Sequence, residues 1–223
     1  MTVEIKTITT PFAFNISVNC YLVKIASNYI LIDTGMPNQR STIETEIENA
    51  GCQSGNLKLI ILTHGDLDHC GNAAYLRQKL GTKIAMHDAD LGMVERGYMF
   101  WNRRKPNIFI KVIFSMLFGL NKSDRFKPDL YLKDEDKLAE YGLDAQVIEL
   151  PGHSKGSIGI LTTNGNLFCG DLLGNTDKPK LWSIIDDRSA ANASIEKLKN
   201  LAINAVYPGH GKPFLMEQFS YDK

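Results

Sequence analysis

The feature that most constrains the fold is a group of metal-binding residue types directly after a continuous apolar segment. Residues 57–63 read LKLIILT and predict a buried strand. The next residues, HGDLDHCGN, place two histidines and two aspartates within six positions: His64, Asp66, Asp68 and His69. Imidazole and carboxylate groups spaced so closely are typical of metal ligands. The sequence thus predicts a fold in which a buried strand ends in a metal-binding loop.

Three further residues of these types stand at the ends of other apolar segments. His153 lies in ELPGHSKGS, Asp171 ends NLFCGD, and His210 lies in AVYPGHG. Each of them alone is as well explained as a hydrogen-bonded loop residue. Together with the first group they predict one metal site assembled from separate loops. His87, in IAMHDAD, falls outside this pattern and is interpreted as structural or as a neighbour of the ligands.

The other segments predict both strands and helices. Alternating or continuous apolar residues predict strands, including 3–9, 17–26, 29–35, 83–87 and the segments before His153, Asp171 and His210. Thr163-Asn164-Gly165-Asn166 predicts a hairpin turn. Helical spacing predicts helices at 38–51, 72–80 and 187–201, the last with Ala190, Ala193, Ile195, Leu198 and Leu201 facing inward.

Composition excludes several classes of protein. A length of 223 residues predicts one domain, 1–223. Net charge is zero and no basic run is present, which argues against a nucleic-acid partner. The longest apolar run, 108–120, contains Lys111 and is shorter than the roughly 20 residues of a membrane span. The start of the chain does not resemble a signal peptide and the four cysteines form no CxxC pair, so we expect a cytoplasmic protein.

The order THGDLDH, PGH, CGD and YPGHG resembles the metallo-β-lactamase superfamily, in its glyoxalase-II-like branch. LIDTG is similar to an early strand of that family, so the resemblance extends over residues 29–211. It implies the α+β class and a four-layer αββα sandwich, with two metal ions at one edge. It also implies a metal-dependent hydrolase that acts on a small-molecule substrate.

The resemblance also implies a set of ligands. His64, Asp66 and His153 would hold the first metal ion, Asp68, His69 and His210 the second, and Asp171 would bridge them. Asp66 departs from the family motif, which has histidine there. Zinc is the expected metal, and the extra carboxylate makes iron or manganese the alternatives. Two ions would provide a hydroxide, and Asp68 would orient it as the catalytic residue.

Three interpretations of the function remain open from the sequence. The first is hydrolysis of an ester, thioester or lactone; β-lactam hydrolysis is not expected, because true β-lactamases of this fold have cysteine at the position of Asp171 or lack the bridge. The second is a di-iron redox protein that handles oxygen or nitric oxide with a separate electron donor. Asp66 favours it, because flavodiiron proteins resemble this chain in placing a carboxylate at that position. A third reading, a metal-stabilised scaffold without catalysis, is weakly opposed by the number of carboxylates.

An apolar helical insertion at about 91–130 interrupts the pattern of strands. It is equally well explained as part of the core or a homodimer interface, or as a lid over the metal ions. As a lid it would line a substrate pocket with Trp101, Phe109, Phe114 and Phe118. Lys178, which follows Asp171 on the next loop, is a weaker candidate for binding an anionic substrate group.

Overall fold

The computed structural model describes residues 3–13, 16–103 and 119–220. These residues form two large β-sheets that pack face to face, with helices on both outer faces. The predicted four-layer αββα sandwich is therefore confirmed. Among the described residues, no helix has both the length and the apolar character that crossing a bilayer requires.

The first sheet contains six strands in chain order: β1 (Val3–Ala13), β2 (Ile16–Ile25), β3 (Asn28–Ile32), β4 (Leu57–Ile61), β5 (Ile84–Met86) and β6 (Leu130–Tyr131). β1, β2 and β3 pair antiparallel, whereas β3 to β6 run parallel. Parallel pairing brings the carboxyl ends of β3 and β4 to the same edge. Asp33 and His64, which follow these two strands, therefore lie at one end of the sheet.

The second sheet is built from the later strands. In chain order these are β7 (Ala145–Glu149), β8 (Ile158–Thr162), β9 (Asn166–Gly170), β10 (Leu173–Gly174), β11 (Lys180–Leu181), β12 (Ala205–Pro208) and β13 (Phe214–Leu215). The sheet order is β13-β12-β9-β8-β7, and β10 and β11 form a separate pair. The predicted hairpin at 163–166 joins antiparallel β8 and β9. β9 and β12 are parallel, which brings Asp171 and His210 to one edge.

The described residues include five helices that cover the sheets: α1 (Arg40–Asn49), α2 (Leu67–Cys70), α3 (Ala73–Leu80), α4 (Leu91–Arg96) and α5 (Arg188–Lys199). Ile43 of α1 and Leu31 of β3 share the core between the first sheet and its helices. Ile32 of β3 and Phe168 of β9 share the core between the two sheets. Neighbouring residues of a strand point to opposite faces, so strands buried on both faces read as continuous apolar runs.

The inward face of α5 differs from the prediction. Ala191, Ser194, Ile195 and Leu198 are buried, whereas Ala193 is exposed. Ile195 and Leu198 fix the orientation of the helix, and its period then turns Ala191 and Ser194 inward.

The insertion is described only at its two ends. Residues 91–103 contain α4, and residues 119–130 contain the 3-10 helix Lys122–Asp124, with Leu120 and Phe126 buried beside the first sheet. Residues 104–118, which include Phe109, Phe114 and Phe118, lie outside the described residues. The three interpretations of the insertion, as a lid, as part of the core or as a homodimer interface, therefore stay predictions.

Candidate metal centre

The structure brings all seven sequence-predicted ligands to the shared edge of the two sheets. They are at most 8% exposed, and they come from four places: the segment after β4 with α2, the loop between β7 and β8, the end of β9 and the end of β12. Their side-chain donor atoms converge in three overlapping groups, each within 4.8 Å: His64, Asp66 and His153; Asp68, His69 and His210; and His64, His69 and Asp171. The first two groups match the two predicted sets.

Asp171 lies at the centre of the cluster. Its Oδ1 is 3.4 Å from His69 Nε2, and its Oδ2 is 3.2 Å from His210 Nε2. The same Oδ2 lies 3.8 Å from His153 Nε2 and 3.9 Å from His64 Nε2. One carboxylate thus faces imidazoles of both groups, which is the placement that a bridging ligand requires.

Each of the four imidazoles is oriented through its other ring nitrogen. His69 Nδ1 lies 2.9 Å from Asp33 Oδ2, and His64 Nδ1 lies 3.0 Å from Thr63 Oγ1. His153 Nδ1 and His210 Nδ1 lie 2.6 Å and 2.7 Å from the carbonyl oxygens of Ile184 and Ser17. Partners that accept from Nδ1–H fix the ring and leave Nε2 free to bind a cation. The other oxygen of Asp33, Oδ1, accepts from Thr63 N at 2.8 Å.

The unpartnered atoms of the centre fit a bound cation. His64 Nε2, His69 Nε2 and Asp171 Oδ1 are buried and have no hydrogen-bond partner, an arrangement that costs free energy unless another ligand satisfies them. Burial lowers the pKa of His69, yet Asp171 and Asp68 raise it to about 9. The carboxylates therefore favour positive charge beside His69, and bound metal ions would supply it.

Gly209 leaves the space that the centre needs. A Cβ at this position would press against Asp171 Oδ1 and lie 2.7 Å from His69 Cε1. We expect Gly209→Ala to weaken metal binding by at least about tenfold, because it displaces the central carboxylate. Chelator competition on metal-free protein measures the change.

Gly55→Ala is the matched control for this variant. Gly55 has a φ of +92°, and a Cβ added there would meet nothing within 4 Å, so alanine costs backbone strain alone. We expect about 1–2 kcal/mol of lost stability and unchanged metal affinity. A Gly209→Ala protein with the metal affinity of the unsubstituted protein would contradict the arrangement described for Asp171.

The sequence did not reveal that Arg103 reaches the centre. Its guanidinium forms a two-point ion pair with Asp66, and both side chains are buried. Burial raises the pKa of Asp66, but Arg103 and then His153 hold it well below its usual range. No local pattern connects two residues that are 37 positions apart, so only the fold could show this pair.

Asp90 is a second residue that the sequence did not single out. It is fully buried, and it accepts from Gly65 N at 3.2 Å, from Ser154 Oγ at 2.6 Å and from Gly156 N at 2.9 Å. The Asp90 carboxylate therefore connects, by hydrogen bonds, the loop that carries His64 and the loop that carries His153.

Of the predicted substrate-binding residues, Trp101 and Lys178 lie among the described residues. Trp101 packs on Gly92, has Arg96 4.1 Å above its ring and is 40% exposed. Lys178 is exposed on the loop between β10 and β11, and Phe114 lies outside the described residues. His87 accepts from Ala89 N and pairs with Glu149, in keeping with its structural interpretation.

The segment 182–184 runs beside the centre, which the sequence did not indicate. The Trp182 ring stacks on His210 with centroids 4.5 Å apart and planes 12° from parallel. The Ile184 carbonyl binds His153, while Ile184 itself is 60% exposed. An apolar side of the candidate site therefore lies next to ligands of both groups.

Comparison with known proteins agrees with this geometry. The model of the metallo-beta-lactamase superfamily matches residues 14–210. Hydroxyacylglutathione hydrolase GloC of Haemophilus influenzae is 30% identical over 86% of this chain and 85% of its own length. A protein of Methanocaldococcus jannaschii described as "Probable metallo-hydrolase MJ0888" is 30% identical over 94% and 95%. The crystal structure of TTHA1623 in a di-iron-bound form superposes with a TM-score of 0.70 and 25% identity, covering 96% of both chains. The chain therefore belongs to the metallo-beta-lactamase superfamily, and its relatives support a metal-binding hydrolase.

Proposed function

We propose that this protein is a hydrolase with two metal ions that cleaves an ester, thioester or lactone. The observation that carries the proposal is the convergence of four oriented imidazoles and three carboxylates at one buried point. In this assignment His64, Asp66 and His153 would hold the first ion, Asp68, His69 and His210 would hold the second, and Asp171 would serve both. The bound ions would polarise a carbonyl group and lower the pKa of water.

The chain's own residues supply orientation and proton handling. Asp68 Oδ2 lies 3.4 Å from His210 Nε2 and 3.6 Å from His69 Nε2, so the carboxylate lies beside both imidazoles of its own group. There it would orient the attacking water and accept its proton. The thioester class is supported by the similarity to a hydroxyacylglutathione hydrolase, and the exposed Ile184 beside Trp182 offers an apolar surface for an acyl group.

A panel of substrates tests the proposal. We expect the purified protein to cleave at least one of three substrates: an acyl-glutathione thioester, an aryl ester or a γ-lactone. We also expect it to leave a penicillin intact, because Asp171 stands where true β-lactamases of this fold have cysteine or lack the bridge. A chelator should abolish cleavage and added metal should restore it. Cleavage that survives complete metal removal, or activity on the penicillin alone, would contradict the proposal.

A di-iron redox function is the second candidate. Two observations favour it: the carboxylate of Asp66 beside His64 and His153, and the structural similarity to a protein in a di-iron-bound form. Elemental analysis of protein purified without added metal separates the two functions. Two zinc ions per chain favour the hydrolase, and two iron ions with a visible absorption band favour the redox protein.

A further inference from the structure

Two hydrogen bonds join the guanidinium of Arg103 to the carboxylate of Asp66. Arg103 Nη1 donates to Asp66 Oδ1 at 2.7 Å, and Nη2 donates to Asp66 Oδ2 at 2.9 Å. Arg103 is 9% exposed and Asp66 is 7% exposed, so water screens this pair little. A two-point contact of this kind fixes the plane of the carboxylate as well as its position.

The two oxygens of Asp66 face different groups. Oδ1 contacts Arg103, whereas Oδ2 also lies 2.8 Å from His153 Nε2 and 3.6 Å from His64 Nε2. A carboxylate oxygen has two lone pairs, so Oδ2 can accept from Nη2 and still present a lone pair to a cation between the two imidazoles. Arg103 therefore leaves the ligand position of Asp66 open.

The buried carboxylates of the centre explain why Asp66 needs a cationic partner. Three carboxylates, those of Asp66, Asp68 and Asp171, are buried in the centre, and each ionised carboxylate is costly to bury without compensation. Asp90 and Asp186 also lie near Arg103, but the oxygens of Asp90 accept from Gly65, Ser154 and Gly156. Within the described part of the chain, Asp66 accepts both hydrogen bonds of the guanidinium, and the pair carries no net charge.

We propose that Arg103 is a positioning residue that orients Asp66 as a ligand of the first metal ion and cancels its charge. The carboxylate and guanidinium then act together as one neutral ligand, equivalent in charge to a neutral imidazole. The inference rests on the metal centre of the proposed function. It also implies that an imidazole at position 66 binds the first ion more weakly while the guanidinium remains, because the buried cation would then lack its two-point partner beside the metal ion.

A cycle of four proteins tests this coupling. Metal-free unsubstituted protein, Asp66→His, Arg103→Met and Asp66→His/Arg103→Met are titrated with Zn²⁺ against a chromophoric chelator. We expect two ions per unsubstituted chain and a first site that is about 10–100-fold weaker in Asp66→His. The double variant should recover affinity to within a few fold, because the unpaired guanidinium is gone. Arg77→Met, which removes a surface arginine paired with Asp129 at 3.3 Å, is the matched control and should leave both sites unchanged.

A second pair of variants covers the case in which Asp66→His does not fold. Asp66→Asn keeps the shape of the side chain and removes its charge, so it also leaves the guanidinium without an ionic partner. We expect Asp66→Asn/Arg103→Met to bind the first ion more tightly than Asp66→Asn. The opposite order would overturn the inference.

The outcomes separate this inference from the proposed function. Two tightly bound ions in Asp66→His would overturn the coupling and leave the hydrolase proposal intact. One ion in the unsubstituted protein and two in Arg103→Met would show that the guanidinium replaces a metal ion, which also overturns the inference. An unsubstituted protein that binds no metal would overturn both.

Discussion

Asp68→Ala is expected to lower the rate of substrate hydrolysis by about 10²–10⁴-fold, the range associated with loss of a general base. Asp68 is 8% exposed and lies within 3.6 Å of two imidazoles of its group, His69 and His210. Its removal takes away the group that would orient the attacking water, while the cores between the layers do not include it. Steady-state kinetics with the best substrate of the panel measures the loss.

Glu48→Ala is the control for Asp68→Ala. Glu48 lies on the exposed side of α1 and pairs with Lys79 at 2.9 Å, a surface ion pair worth at most about 1 kcal/mol. Its removal should leave the rate unchanged. Circular dichroism should show that both variants are folded. An Asp68→Ala protein with the unsubstituted rate would show that the catalytic assignment is wrong.

Asp33→Ala is expected to destabilise the metal-free protein by about 3–5 kcal/mol, because it leaves several buried donors without a partner. Asp33 accepts from Thr63 N and Thr63 Oγ1, both at 2.8 Å, and its Oδ2 lies 2.9 Å from His69 Nδ1. The melting temperature should fall by roughly 6–20 °C for a chain of this size. Metal affinity should fall as well, by about 10–100-fold, because His69 loses the partner that orients its ring.

The control for Asp33→Ala is Asp144→Ala. Asp144 also accepts from a threonine hydroxyl, Thr163 Oγ1 at 3.1 Å, but it is exposed, so its loss should cost little. Thermal melting and chelator competition on both variants give the comparison. If Asp33→Ala and Asp144→Ala changed stability and metal affinity equally, Asp33 would have no special role in the centre.

The sequence predicts the elements of the centre well because each predicted ligand directly follows or lies near a strand. Apolar runs mark the strands, and parallel pairing of β3 with β4 and of β9 with β12 brings their ends to one edge. The predicted ligands are therefore found together. Their assignment as metal ligands stays a proposal, because proximity alone does not measure binding.

The contacts that distant segments make with the ligand-bearing loops could not be predicted from the sequence. Arg103 and Asp90 lie on either side of α4, and each contacts a loop that is far away along the chain. Arginine and aspartate side chains are most often exposed, so residue type alone does not identify either contact. The predicted inward face of α5 is correct at Ile195 and Leu198 but wrong at Ala193, because alanines mark a buried face weakly.

The charge of Asp66 shows how a distant partner, here Arg103, changes the expected charge of the metal centre. From the sequence alone, a third carboxylate predicts a more anionic centre and makes iron or manganese the alternatives to zinc. Arg103 contacts both oxygens of that carboxylate and cancels the added charge. This compensation removes the main electrostatic argument against zinc.

The most direct test of the metal-dependent hydrolase is a titration of metal-free protein in which bound metal and hydrolysis are measured on the same samples. Zn²⁺, Mn²⁺ or Fe²⁺ is added in steps, bound metal is counted after dialysis, and thioester, ester and lactone cleavage is followed. We expect metal-free protein to be inactive and activity to rise with bound metal to a limit at two ions per chain. Full activity without metal, or two bound ions without cleavage of any of these substrates, would contradict it.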